Sequence, residues 1–162
     1  RLAQIDQLQI AAVNKRQGRE MNRAVGARQG AKTKAKARDG EYQHLIESAH
    51  HAGMNAANDR TPVPMAIQQH ANPLDDNSPI TQQWVVRGGV CGFAWVVVKP
   101  GTSSFARWLV KEGHAKAHYY GGVSIWVSQF GQMMEKKEAY AAAYAQVLRD
   151  AGINAYSDSR MD

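Results

Sequence analysis

Cysteine and long apolar runs are scarce in this chain of 162 residues. Cys91 is the only cysteine, which excludes an intrachain disulfide framework and fits a reducing compartment. No run of 18 apolar residues occurs, so the sequence predicts no membrane-spanning helix. The first residues also lack the apolar stretch of a signal peptide, and no serine precedes Ser48, unlike a mitochondrial presequence. We therefore expect a cytoplasmic protein of a bacterial host cell, or a virion component.

Acidic residues are nearly absent from residues 1–38, which we call the basic arm. Asp6 and Glu20 stand there against ten Lys and Arg residues, a net charge of +8, whereas the whole chain carries +6. The pI of about 9.6 therefore belongs to the arm, and the remaining residues are slightly acidic. A concentrated cationic segment points to a polyanionic partner, because Lys and Arg neutralise phosphates and release counterions.

The arm predicts non-specific binding of DNA or RNA without a cofactor. The residues predicted to carry it are Lys15, Arg16, Arg19, Arg23, Arg28, Lys32, Lys34, Lys36 and Arg38. A solubilising tail or an oligomerisation arm is the alternative interpretation. Insertion into a membrane is not expected, since residues 14–38 contain no Trp or Phe to bury.

The first 83 residues predict two helices separated by a flexible segment. Residues 1–16 carry a thin apolar stripe at helical spacing, whereas residues 17–38 contain three glycines and no aromatic residue, which is typical of disorder. Asp39 is the expected N-cap of a second helix that ends before Pro62. Prolines and Asx residues at 61–83 indicate a long connection. We thus expect three parts, covering residues 1–38, 39–83 and 84–162.

Residues 84–162 have the clearest secondary-structure pattern. The predicted order is strand Cys91–Val98, helix Phe105–Glu112, strand His114–Tyr120, a Gly-Gly turn, strand Val123–Ser128, a helix from about Gln132 to Ala151, and strand Ile153–Ser157. This β-α-β-β-α-β order predicts an α+β fold of two layers, the split β-α-β or ferredoxin-like arrangement, preceded by the helical and basic extension. Trp84–Arg87 is expected to add an edge strand.

Three segments, CGFAWVVVKPG, YYGGVSIWV and KEAYAAAYAQVLRDAGINAYSDSRMD, resemble small uncharacterised proteins of tailed bacteriophages. The likeness covers about the last 70 residues. It implies a viral source and transfers no activity and no functional residue.

Aromatic residues on the predicted sheet form the second candidate binding site. Trp126 alternates with Val123, Ile125 and Val127, which predicts that its side chain lies on the open face of the sheet. RNA-recognition domains share this strand order and stack bases on aromatic side chains, so Trp126 with Phe93 or Trp95 is a candidate platform. The segment Gly-Gly-Val-Ser-Ile-Trp-Val departs from the aromatic motif of those domains. Covering by the helix of residues 39–58 or by a second subunit is the alternative.

Catalytic and metal-binding signals are weak. His44, Glu47 and His51 share a predicted helical face, and Glu47 and His50 have the spacing of a helical metal site, but no second Glu-x-x-His occurs. Cys91 lies in an apolar strand, which favours an inert thiol. We therefore predict a non-catalytic phage accessory protein that binds nucleic acid. A structural or virion protein that forms homo-oligomers or binds another phage or host protein is the second hypothesis, and a small metal-dependent enzyme is the third.

Overall fold

A computed structural model describes residues 2–162, with side chains described for residues 16, 17 and 19–162. The first element, α1, is a single helix over Leu2–Asp59. The chain divides into two compact units, Arg1–Tyr42 and Gln43–Asp162. The second unit contains two antiparallel sheets and two further helices, so the protein is α+β with a long N-terminal helix.

The helix over the basic arm differs from the predicted disorder of residues 17–38. Sixteen of these 22 residues are Ala, Arg, Lys, Gln, Glu or Met, all good helix formers. They outweigh glycines that cost about 1 kcal/mol each. The backbone therefore continues through Asp39, which is an internal helical residue instead of the predicted N-cap. The predicted apolar stripe of residues 1–16 falls on side chains outside the described ones.

The predicted connection of residues 61–83 is largely a β-hairpin. Strand β1 covers Met65–His70 and pairs with β2, Ile80–Val86, in a separate two-stranded sheet. The prolines that suggested a loop flank these strands instead of interrupting them, so no strand donor is lost. The strand expected at Trp84–Arg87 is therefore present over residues 84–86, but it is the end of β2 in the hairpin and not an edge strand of the large sheet.

The larger sheet contains four antiparallel strands in the order β4-β5-β3-β6. Its elements are β3 (Gly92–Val98), α2 (Ser104–Lys111), β4 (Lys116–Ala117), β5 (Val123–Trp126), α3 (Met134–Asp150) and β6 (Ala155–Met161). These elements follow the predicted order, although β4 has only two residues and β6 extends to Met161. The turn between β4 and β5 is longer than the predicted two residues. The last pair before it is Ala117 with Val123, so the turn covers residues 118–122.

The core lies between α3, the second half of α1 and one face of the large sheet. Ala94, Val96 and Val98 of β3 alternate on the buried face, and Tyr140, Tyr144 and Leu148 of α3 are buried. On α1 the buried side is marked by Ile46, Ala49, Gly53 and Ala57. None of the helices in the described part of the chain combines enough length and apolar character to cross a membrane.

Glu135 fixes the segment that follows α1. Its Oε2 accepts hydrogen bonds from Arg60 Nε at 3.0 Å and Nη2 at 2.7 Å, and its Oε1 accepts one from the Val63 N–H at 2.9 Å. These hydrogen bonds hold the pKa of the Glu135 carboxyl below its usual value. The Val63 N–H has the larger effect, and Arg60 has the next largest. The first turn of α3 is thereby joined to the chain leading into the hairpin.

Candidate nucleic-acid interface

The basic side chains of α1 point into solvent on several sides of the helix. At 100° per residue, Arg16, Arg19, Arg23 and Lys34 fall within an arc of about 60°, whereas Arg28, Lys32, Lys36 and Arg38 lie outside that arc at other angles. All eight are exposed. Lys15 belongs to the same predicted set, but its side chain lies outside the described residues.

Few acidic groups neutralise this part of the helix. The ion pairs of described residues 16–42 join Arg16 Nε to Glu20 Oε1 at 3.5 Å and Arg38 Nη2 to Asp39 Oδ1 at 3.2 Å. Such exposed pairs contribute little, typically about 0–1 kcal/mol. Arg38 also lies over the Tyr42 ring, 5.8 Å from its centroid. The segment from Arg19 to Lys36 therefore presents mainly unneutralised positive charge.

The second candidate surface is the sheet face opposite α3, which we call the aromatic face. Glu138 of α3 accepts a hydrogen bond from Ser159 Oγ, so the Ser159 side chain lies on the face that α3 covers. Ala94 pairs with Ser159 and shares that face. The alternating residues Phe93, Trp95 and Trp126 therefore lie on the other side. Trp126 is 54% exposed, as its alternation with Val123, Ile125 and Val127 predicts.

The three aromatic rings form one cluster. Trp95 and Trp126 are directly opposite each other on β3 and β5, and their rings lie 5.5 Å apart and within 3° of parallel. The Phe93 ring lies 5.5 Å from Trp126 and 5.2 Å from Lys137 Nζ. Because Trp126 is held from the β3 side by Trp95, its indole has a fixed orientation in an exposed position.

Helix α1 lies beside Trp126 and leaves it 54% exposed: Trp126 lines one cavity together with Ile46, Glu47, His50 and His51 of α1. The same part of α1 contacts α3, where His50 Nδ1 and the Tyr140 hydroxyl are hydrogen-bonded at 2.7 Å. Trp126 also lines a cleft of about 490 Å³ on the β4 side of β5, together with Gly113, His114, Ala115, Lys116, Ser124 and Ser128. This volume is within the range of small-molecule sites, about 300–1,000 Å³.

Sequence reasoning missed Lys116 and His114 as neighbours of Trp126. Ser124 and Ser128 share its face by simple alternation, so their position was predictable. Lys116 comes to this face only because it pairs with Ser124, and that register depends on the length of the turn between β4 and β5. With the predicted two-residue turn, β4 and β5 would pair in a different register, and Lys116 would not lie opposite Ser124.

The histidines form no metal centre in the described residues. His44 Nδ1 lies 3.7 Å from Glu47 Oε2, whereas His50 is bonded to Tyr140 and forms an edge contact with His51. Across the described part of the chain, no three His, Cys, Asp or Glu side chains are grouped closely enough to hold a metal ion. The hypothesis of a metal-dependent enzyme at His44, Glu47 and His51 therefore gains no support from this geometry.

A smaller cavity, of about 290 Å³, lies between α1, α3 and β5. Its lining includes Glu47, His50, Trp126, Tyr140 and Tyr144, so Trp126 borders both this cavity and the larger cleft. Burial raises the pKa of Tyr140 to about 12 and also raises the pKa of Tyr144. Both phenols are neutral at physiological pH and belong to the buried core, where the Tyr140 hydroxyl is hydrogen-bonded to His50.

Comparison with protein-family models, with curated proteins and with solved structures finds no match to this chain.

Proposed function

We propose that this chain is a non-catalytic accessory protein of a tailed bacteriophage that binds nucleic acid through its basic arm. The viral source rests on the sequence resemblance of the C-terminal segments. The binding function rests on the arm itself. Cationic side chains along a helix bind the phosphate backbone without reading base identity, so the predicted affinity is non-specific and sensitive to salt.

One observation carries this proposal. Between Arg19 and Lys36, none of the basic residues of α1 forms an ion pair with a described side chain. These six residues are Arg19, Arg23, Arg28, Lys32, Lys34 and Lys36. A helix with charge on most of its circumference has no apolar face to pack against a protein core. A polyanion removes the mutual repulsion of these groups, and the phosphates of DNA and RNA supply such charge.

We further propose that residues 92–161 adopt the split β-α-β arrangement. The element order β3-α2-β4-β5-α3-β6 and the strand order β4-β5-β3-β6 support it, because two strands joined by a helix then flank a third strand. In this arrangement the aromatic face is the side of the sheet that the helices leave open.

The test replaces Arg23, Arg28 and Lys32 with Gln, which removes three charges and keeps good helix formers. A matched control replaces Arg87, Arg107 and Lys136 with Gln and lowers the net charge equally. We expect the arm variant to bind a duplex about tenfold or more weakly at low salt, measured by fluorescence anisotropy, and the control to change little. Equal losses in both variants would contradict the proposal, since only the total charge would then matter.

The exposed hairpin favours a second function, the formation of homo-oligomers. Ile67 of β1 and Trp84 of β2 lie directly opposite each other and share a face with the pair Met65 and Val86. The side chains of Ile67 and Trp84 are 43% and 47% exposed. An isolated two-stranded sheet is marginally stable in water, so an apolar hairpin face favours a covering partner. Light scattering at micromolar concentration tests this: the second function predicts a dimer or larger species that Trp84→Ser dissociates, whereas a strict monomer refutes it.

A further inference from the structure

We infer that the cleft beside Trp126 binds an unpaired nucleotide base, which gives the protein a preference for single-stranded over double-stranded nucleic acid. This inference rests on the proposed function, and it names the form of the nucleic acid. The arm explains affinity for any phosphate backbone, whereas a distinction between single and double strands requires contact with the bases.

The order of the strands places a different environment on each side of the Trp126 side chain. Strand β5 lies between β4 and β3, and Trp95 of β3 stacks on the indole from one side. The other side faces β4, where Trp126 lines the cleft of about 490 Å³ with Lys116 and Ser124. The cleft therefore offers an aromatic wall that is supported from behind.

An aromatic wall of this kind suits a base, because every base has a π-face and stacking does not depend on its identity. The parallel Trp95 ring restricts the Trp126 side chain before binding, so little rotamer freedom is lost when a base stacks. Phe93, tilted by 38° to the Trp126 ring, extends the aromatic surface along the sheet.

Cationic side chains on the aromatic face complement a phosphate backbone. Lys116 lines the cleft, and Arg160 lies opposite Phe93. Neither side chain has an ion-pair partner among the described residues. Lys99 is held over the Tyr156 ring, 5.5 Å from its centroid, on the same face. Asp158 lies opposite Trp95, and Glu47 lines the neighbouring cavity with Trp126, so these cations outnumber the carboxylates by three to two.

The hydroxyl groups of Ser124 and Ser128 supply the polar part of the site. Both line the cleft and alternate with Trp126, so they flank a base stacked on the indole. Hydroxyl groups donate or accept hydrogen bonds, which suits sugar and base edges of any sequence. A paired base in a duplex is stacked on both sides and cannot present its face to Trp126 without being extruded.

The experiment measures anisotropy of a labelled single strand of about 20 nucleotides and of its duplex, with the full chain and with Trp126→Ala. We expect the single strand to bind about 5- to 100-fold more weakly to this variant, and the duplex to bind unchanged. Trp84→Ala is the matched control, because Trp84 is exposed to a similar degree and lies on the hairpin. It is expected to leave both affinities unchanged.

Trp126→Phe keeps a stacking ring and is expected to recover most of the single-strand affinity, which separates stacking from a folding defect. Unchanged single-strand affinity in Trp126→Ala overturns the inference, and so does an equal loss for single strand and duplex. The arm variant distinguishes the two proposals in the same assay. If it weakens both ligands while Trp126→Ala weakens neither, the inference fails and the proposed function stands.

Discussion

Gly53 lies where α1 packs against the ring of Tyr140 on α3. A Cβ atom at this position would lie 2.7 Å from Cδ2 of Tyr140. The ring has little freedom to move away, because it is only 4% exposed and its hydroxyl is bonded to His50. The absence of a side chain at Gly53 is thus a packing requirement, although glycine normally weakens a helix.

Gly53→Ala is therefore expected to lower the free energy of unfolding by about 1–2 kcal/mol, since overpacking exceeds the gain in helix propensity. Gly40→Ala is the control, because a Cβ there meets no atom within 4 Å. That substitution is expected to raise helix stability by about 0.5–1 kcal/mol. Urea denaturation measures both, and stabilisation by Gly53→Ala would show that Tyr140 is free to move.

Tyr140 gives the second prediction at the scale of a residue. Burial raises the pKa of its phenol to about 12, so the folded state holds the proton more tightly than the unfolded chain does. Its contribution to stability is complete below a pH of about 10 and is lost as the pH rises towards 12. Tyr144 acts in the same direction.

Urea denaturation between neutral pH and a pH of about 12 measures this loss, with phenolate formation followed by absorbance. Tyr140→Phe is expected to make the decline in stability between a pH of about 10 and 12 shallower, because one buried phenol has been removed. The same decline in both proteins would assign it to other groups.

At the scale of elements, local signals located the regular structure where they were present. Ser103 accepts a hydrogen bond from the Ala106 N–H and caps α2, and Gly113 and Gly152 have positive φ after α2 and α3, so these ends were predictable. Strand β3 followed from its β-branched and aromatic residues. The extension of β6 through Ser159 and Arg160 did not, because pairing with β3 stabilises residues of low strand propensity.

The hairpin and α1 show where local signals mislead. Prolines beside β1 and β2 indicated a loop, although they lie outside the paired residues. Glycines in the arm indicated disorder, although most of their neighbours favour a helix. For the candidate site, alternation predicted the exposure of Trp126, whereas the position of Lys116 depends on a long-range register that composition does not encode.

The arm helix gives a prediction at this scale. A Cβ atom at Gly26 or Gly30 meets no other atom within 4 Å. The double substitution Gly26→Ala and Gly30→Ala is therefore expected to stabilise the helix by about 1 kcal/mol at each site. Circular dichroism at 222 nm, followed with temperature, should show a higher melting midpoint. An unchanged or lower midpoint would contradict a helical conformation at these two positions.

In the whole molecule, charge and packed structure belong to different parts of the chain. The basic arm provides charge and little apolar surface, whereas Gln43–Asp162 provides a packed α+β unit that carries the exposed Trp126. In our account the arm supplies non-specific affinity, and Trp126 with its cleft supplies selectivity for unpaired bases. Weakening one property should therefore leave the other measurable.

The salt dependence of binding to a single strand tests whether the basic arm binds nucleic acid. Each phosphate contact contributes about 0.7 to the slope of log K against log salt concentration. Gln at positions 23, 28 and 32 should lower the magnitude of that slope by about 2, and the three body substitutions at Arg87, Arg107 and Lys136 should leave it unchanged. An arm variant with the slope of the unmodified chain would contradict the claim that the basic arm binds nucleic acid.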